Sequence, residues 1–176
     1  MANLNRLLPT TWSRGNPVDI IGHGRQYYAW FDGSGGSFAH SCLALAYHDA
    51  QSGKAVVARV ERQTGEPPFS PTQAIRKFAA ILRKYGLARV NGDHWGGNQT
   101  RSDWEAEGIS YETHLVSASD LYERLEPRIN AQTVAFIDVP KLRQQLLSVV
   151  SRNGKIQPRD GQSLDDHLNA AAGAVS

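Results

Sequence analysis

Gln26-Tyr27-Tyr28-Ala29-Trp30-Phe31-Asp32-Gly33-Ser34-Gly35-Gly36 is an aromatic run that ends on an acid and breaks into glycine. Aromatic residues favour a pleated, half-buried surface, so residues 26–31 read as a strand. The Asp-Gly-Ser-Gly-Gly that follows reads as a turn. A carboxylate at the end of a strand, beside a glycine loop, is the feature around which the remaining sequence is organised.

Working outward, Cys42 to Tyr47 (CLALAY) reads as a second strand and Lys54 to Glu61 (KAVVARVE) as a third, with the polar turn Asp49-Ala50-Gln51-Ser52-Gly53 between them. Short links between successive strands favour an antiparallel meander. The pattern then changes. After Pro67-Pro68-Phe69-Ser70-Pro71, Ile75, Phe78, Ala79 and Leu82 recur at helical spacing and Gly86 closes the helix. A short strand is expected over Leu87–Asn91, a short helix over Ser102–Glu107, and a strand over Ser110–His114. A helix capped by Ser117 or Ser119 is expected to run through Ile129, followed by a strand over Thr133–Ile137. A helix over Pro140–Arg152, a polar loop over 153–163 and a final helix from about Asp165 complete the chain. Three antiparallel strands followed by alternating helices and strands make an α/β domain with a mixed sheet.

The bulk composition is that of a globular domain. The chain has 176 residues, 40% hydrophobic and 20% charged, enough for one core. Residues 1–25 read as an irregular leader and 26–176 as the folded unit. No run approaches the length of a membrane span, and Met1 to Gly24 has no apolar core of a secretory signal. With one cysteine, Cys42, no internal disulfide can form, so a cytoplasmic setting is expected. The formal net charge of +2 is too small to identify a nucleic-acid partner by itself. Ser52-Gly53-Lys54 lacks the rest of a phosphate-binding loop, so no ATP site is expected.

The candidate chemistry lies in carboxylates. Asp32 ends the first strand. Asp93 ends the fourth, inside Asn91-Gly92-Asp93-His94-Trp95-Gly96-Gly97. Asp165 and Asp166 open the last helix. Acids at strand ends project into the cleft beyond the sheet edge, where open α/β sheets bind ligands. Two Mg2+ or Mn2+ ions held roughly 3.5–4 Å apart activate a water and stabilise the leaving oxygen of a phosphodiester. Hard cations take oxygen ligands, and aspartates supply them. Each acid alone is also ordinary turn or cap chemistry; their conjunction carries the reading. His94 reads as a loop residue, and Trp95 equally as a loop anchor or a stacking surface. Lys155 and Arg159, in the polar loop before the last acids, are candidate phosphate contacts. Helical phasing of Leu168, Ala171, Ala172 and Val175 expects that stripe against the sheet, with Asp165 as the direct ligand and Asp166 in support.

At this point the motifs match a known pattern. Phe31-Asp32-Gly33-Ser34-Gly35-Gly36, Pro67-Pro68-Phe69-Ser70-Pro71, Gly92-Asp93-His94-Trp95-Gly96-Gly97, Gly108-Ile109-Ser110-Tyr111, Ser119-Asp120-Leu121-Tyr122 and Asp165-Asp166-His167-Leu168-Asn169-Ala170-Ala171-Ala172-Gly173 follow one another in order. Together they resemble the nuclease domain of phage large terminase subunits. The resemblance implies a ribonuclease-H-like fold and metal-dependent endonucleolytic cleavage of double-stranded DNA in viral genome packaging, in the host cytoplasm. It puts the metal-binding acids at Asp32, Asp93, Asp165 and Asp166. It also implies as partners a packaging ATPase motor, a portal and a small terminase subunit, with no membrane. Ala118 stands where the family often has lysine, and Leu164 where it often has histidine. The alternatives are another nuclease of the same fold, such as a junction resolvase or transposase-like enzyme, and a non-catalytic DNA-binding or assembly module.

Overall fold

The computed structural model describes residues 12–13, 24–34, 39–94, 96–159 and 164–176. The meander forms as expected: β2 (Tyr27–Asp32), β3 (Cys42–Asp49) and β4 (Lys54–Arg62) pair antiparallel in sequence order. Ala58 is the extra residue of a bulge opposite Leu45/Ala46. That bulge lets Val57 and Val60, three apart, face the same core. Then follow α1 (Pro71–Lys84), β5 (Arg89–Gly92), α2 (Gly97–Ala106), β6 (Ser110–Thr113), α3 (Ala118–Asn130), β7 (Val134–Ile137) and α4 (Pro140–Ser148). Trp12 and Ser13, inside the stretch read as an irregular leader, form a two-residue β1 pairing parallel with β7. The rest of that leader up to residue 23 lies outside the described residues.

The sheet order is β1-β7-β4-β3-β2-β5-β6. Only β3 runs against the others, so the C-terminal ends of β2 and β5, which are neighbours, open at the same edge. Side chains of β2 alternate between two cores. Ala29 and Phe31 pack with Ile75, Phe78 and Trp104 of α1 and α2. Trp30 packs with Cys42, Ala44 and the helices of the other face. Cys42 is a buried free thiol, as its place in a strand predicts. Ser70 caps α1 and Pro71 opens it, with Ile75, Phe78, Ala79 and Leu82 buried. Ser117 forms a capping box with Asp120 at the start of α3.

Two expectations fail after residue 140. The helix expected to reach Arg152 stops at Ser148, and the expected loop over 153–163 begins as a hairpin, β8 (Val149–Arg152) with β9 (Lys155–Pro158). The cause is local. Asn153 and Gly154 both take positive φ, 51° and 74°, the two-residue turn that matches strand twist. The β-branched pair Val149-Val150 favours extension over helix. Residues 160–163 of that stretch lie outside the described residues. α2 begins five residues before its expected start, with Gly96 in the left-handed conformation at its N-cap. α5 (Asp166–Ala174) forms where expected, with Asp165 as its N-cap.

Candidate active site

Because Asp32 lies two residues beyond Trp30, the pleat points its side chain to the α5 face of the sheet. α5 lies against β2 in the opposite direction. Gly173 rests on the Trp30 ring, so closely that an added Cβ would stand 2.2 Å from the indole. One turn earlier, Asn169 Nδ2 donates to Asp32 Oδ1 at 2.8 Å. A helical turn and two residues of strand cover nearly the same length, so both contacts form together. The stripe expected from sequence, Leu168, Ala171, Ala172 and Val175, is buried with the sheet residues, but Asn169 and Gly173 share the sheet-facing surface with it. α5 is enclosed on nearly every side, and Asn169 and Gly173 face β2 alongside the buried Leu168, Ala171 and Ala172. Apolar periodicity cannot choose a face on a helix that has no exposed one.

Asp93 follows β5 directly, beside Asp32 across the β2–β5 pairing. Its carbonyl accepts from the Tyr111 hydroxyl at 2.7 Å. Gly92 is required there: a Cβ would collide with the Tyr111 ring and with the Phe31 carbonyl. Asp165 Oδ2 accepts from the Tyr122 hydroxyl at 2.6 Å. Asp166 is buried, and its Oδ1 accepts from Gln145 Nε2 at 2.7 Å and from the His167 backbone N–H at 3.0 Å. His167 Nδ1 also lies 3.0 Å from that oxygen. Gln145 does more. Its Nε2 donates to the Leu164 carbonyl, and its Oε1 accepts from the Leu168 N–H, capping α5 from a neighbouring helix where Asp165 makes no side-chain cap.

The other three acids act electrostatically on Asp32. Burial, then the charges of Asp93, Asp165 and Asp166, push the Asp32 carboxyl well above its ordinary value, against the Asn169 hydrogen bond. Burial also opposes ionisation of Asp166, but the hydrogen bonds from His167 and Gln145 outweigh it and hold that carboxyl below its usual value. Among the described residues no three His, Cys, Asp or Glu side chains stand close enough to form a ready-made metal cage. The acids form an open group in which two buried oxygens, Asp166 Oδ2 and Asn169 Oδ1, have no hydrogen-bond partner. Carboxylates that repel Asp32, beside an unsatisfied buried carboxylate oxygen, suit hard divalent cations such as Mg2+ or Mn2+.

The remaining sequence candidates are placed as follows. His94 is exposed, and Trp95 lies outside the described residues. Lys155 opens β9 and is exposed; Arg159 follows the hairpin, its backbone N–H bonded to the Ser148 carbonyl. No described contact joins either side chain to the acids. Sequence reading missed Asn169, Tyr122, Gln145, His167 and Tyr111. Asn169, His167, Tyr122 and Tyr111 stand inside motifs already quoted, and an amide one turn after an acid pair is a usable signal. Gln145 carried none, since an amide in a helix is ordinary surface.

The sequence matches no family model and no curated protein. Solved structures do match. The large terminase nuclease of thermophilic phage G20c is similar with a TM-score of 0.68 and 21% identity, over 86% of this chain and 81% of that one. The HK97 bacteriophage large terminase is similar with a TM-score of 0.68 and 17% identity, over 86% of this chain and 39% of that one. The nuclease domain of the large terminase subunit of bacterial virus Sf6, in a structure with manganese and beta-thujaplicinol, is similar with a TM-score of 0.61 and 12% identity, over 85% of this chain and 87% of that one. This chain has the ribonuclease-H-like fold of phage large terminase nuclease domains.

Proposed function

We infer that the protein is a metal-dependent endonuclease that hydrolyses double-stranded DNA during viral genome packaging. The observation that carries this reading is the placement of Asp32, Asp93 and the two acids that open α5 at one sheet edge, tied by the Asn169–Asp32 contact, within a fold shared with terminase nucleases. The manganese in the Sf6 domain supports the choice of cation. Asp32, Asp93, Asp165 and Asp166 would hold two Mg2+ or Mn2+ ions. When bound, such a pair supplies an activated water and charge for the leaving oxygen of a phosphodiester.

The chain's own residues do the positioning. Asn169 turns Asp32 Oδ1 toward α5, Tyr111 fixes the backbone of Asp93, and Gln145 and Tyr122 fix the start of α5. Asp165, the N-cap of α5, is the proposed direct ligand and Asp166 the supporting acid. Lys155 and Arg159 would meet DNA phosphates. In packaging, the partners would be an ATPase motor, a portal and a small terminase subunit, in the host cytoplasm; among the described residues no helix is long and apolar enough to cross a membrane. The test is supercoiled plasmid incubated with purified protein, with Mn2+ and with a chelator. Cleavage that needs Mn2+ supports the reading. Intact plasmid under both conditions, with DNA bound, favours the non-catalytic module instead.

A further inference from the structure

Tyr122 is mounted rigidly. It is buried in the core that includes Leu125, Leu146 and Leu168. The helix that carries it begins at the Ser117–Asp120 capping box, and the neighbouring Ser119 Oγ accepts the Ile156 N–H from the hairpin. From that fixed position the hydroxyl donates to Asp165 Oδ2 at 2.6 Å, a short charge-assisted bond. It occupies one of the carboxylate's two oxygens. The adjacent acid shows the same pattern: the donors from Gln145 and His167 gather on Asp166 Oδ1, and Oδ2 is left without a partner. Each of the two acids that open α5 thus has one oxygen engaged by donors from the protein.

We propose that Tyr122 is a positioning residue that ties down Oδ2 of Asp165, so that this carboxylate offers a cation one oxygen and the site favours small octahedral cations over Ca2+. The proposal rests on the reading of these acids as cation ligands. Ca2+ accepts six to eight oxygens and readily takes both oxygens of a carboxylate, whereas Mg2+ demands near-octahedral geometry at short distance. A hydroxyl on Oδ2 takes one of that oxygen's lone pairs and fixes the plane of the carboxylate, which disfavours two-oxygen chelation. Released, the carboxylate can turn and present both.

The experiment is calorimetric titration of wild type, Tyr122→Phe, Asp165→Asn and the double variant with Mn2+ and with Ca2+. Phenylalanine keeps the ring and its packing, and circular dichroism of the metal-free protein checks the fold. Tyr122→Phe is expected to shift the ratio of Ca2+ to Mn2+ affinity toward Ca2+ by about tenfold, the lower end of what partners of metal ligands contribute. In the Asp165→Asn background the same substitution is expected to leave the ratio unchanged, because the two residues act through one bond. A general loosening of the fold would weaken both cations alike. An unchanged ratio in Tyr122→Phe, a shift that persists without Asp165, or a Tyr122→Phe protein that does not fold each overturns the proposal and leaves the acids as ligands. A wild type that binds neither cation overturns the underlying reading as well.

Discussion

Asn169 on α5 and Asp32 on β2, 137 positions apart in the chain, meet side chain to side chain at 2.8 Å. That contact fixes the height of α5 on the sheet and brings the acids at its start level with the strand ends. It also makes Asn169 the natural place to disturb the charge balance. Asn169→Asp sets a fifth carboxylate against Asp32. The variant is expected to melt below wild type in chelator, with Mn2+ recovering more stability for it than for wild type. Calorimetry in both buffers measures this, and a metal-free melting temperature at or above wild type would show that the acids are not electrostatically coupled.

The second contact in the same register is Gly173 on the Trp30 ring. Gly173→Ala puts a methyl where the indole stands, at 2.2 Å. Neither a buried ring nor a helix backbone yields easily, and overpacking of this kind costs about 1–3 kcal/mol. For a chain of this size that lowers the melting temperature by roughly 2–4 °C per kcal/mol. Cleavage should fall with it, since the shift carries Asp165 and Asp166 away from Asp32. Wild-type stability in denaturant unfolding would contradict the close approach.

Asp32 also sets a pH dependence. Its folded carboxyl titrates above its unfolded value, so the folded state holds its proton longer. Below the ordinary aspartate range, near pH 3.9, both states are protonated and the group contributes nothing. As pH rises through the raised folded value, ionisation costs the folded state more, and the metal-free protein loses stability. Asp32→Asn removes that cost and keeps an acceptor for Asn169. The metal-free variant is expected to melt above wild type at pH 8, with the gap closing toward pH 4. Melting scans across that range measure it; a gap that widens in acid contradicts the sign.

Lys155 and Arg159 bear on where DNA lies. Both are exposed beside the hairpin, and phosphate contacts weaken with salt as counterions are released. If each neutralises one phosphate, replacing both with alanine should reduce the slope of log affinity against log salt by about 1.8. An unchanged slope in a salt series of DNA-binding measurements would place the DNA on another surface.

Much of this arrangement was legible in the sequence because its signals are local. The Tyr27–Asp32 strand, the capped α1 and α3, and acids placed at element ends all follow from neighbouring residues. The hairpin at Asn153-Gly154 was equally local; the expectation of a loop overlooked a turn signal that stands plainly in the chain. What sequence could not reveal was the choice of face on α5. That helix is buried on nearly every side, so its contacts with β2 depend on Asn169 and Gly173 meeting residues 137 and 143 positions away. Gln145 was hidden for the same reason: its three hydrogen bonds all end on residues at the start of α5, 19 to 23 positions on.

The central claim is that these acids are the cleavage machinery, and Asp32 tests it most directly. The measurement is the rate of plasmid cleavage in Mn2+ by Asp32→Asn beside wild type, with folding verified for both. Loss of one ligand charge from a two-cation site removes several kcal/mol of transition-state stabilisation, so the rate is expected to fall by about a thousandfold or more. The fold should hold, and the metal-free protein should be at least as stable as wild type. Cleavage by Asp32→Asn at close to the wild-type rate would contradict the account.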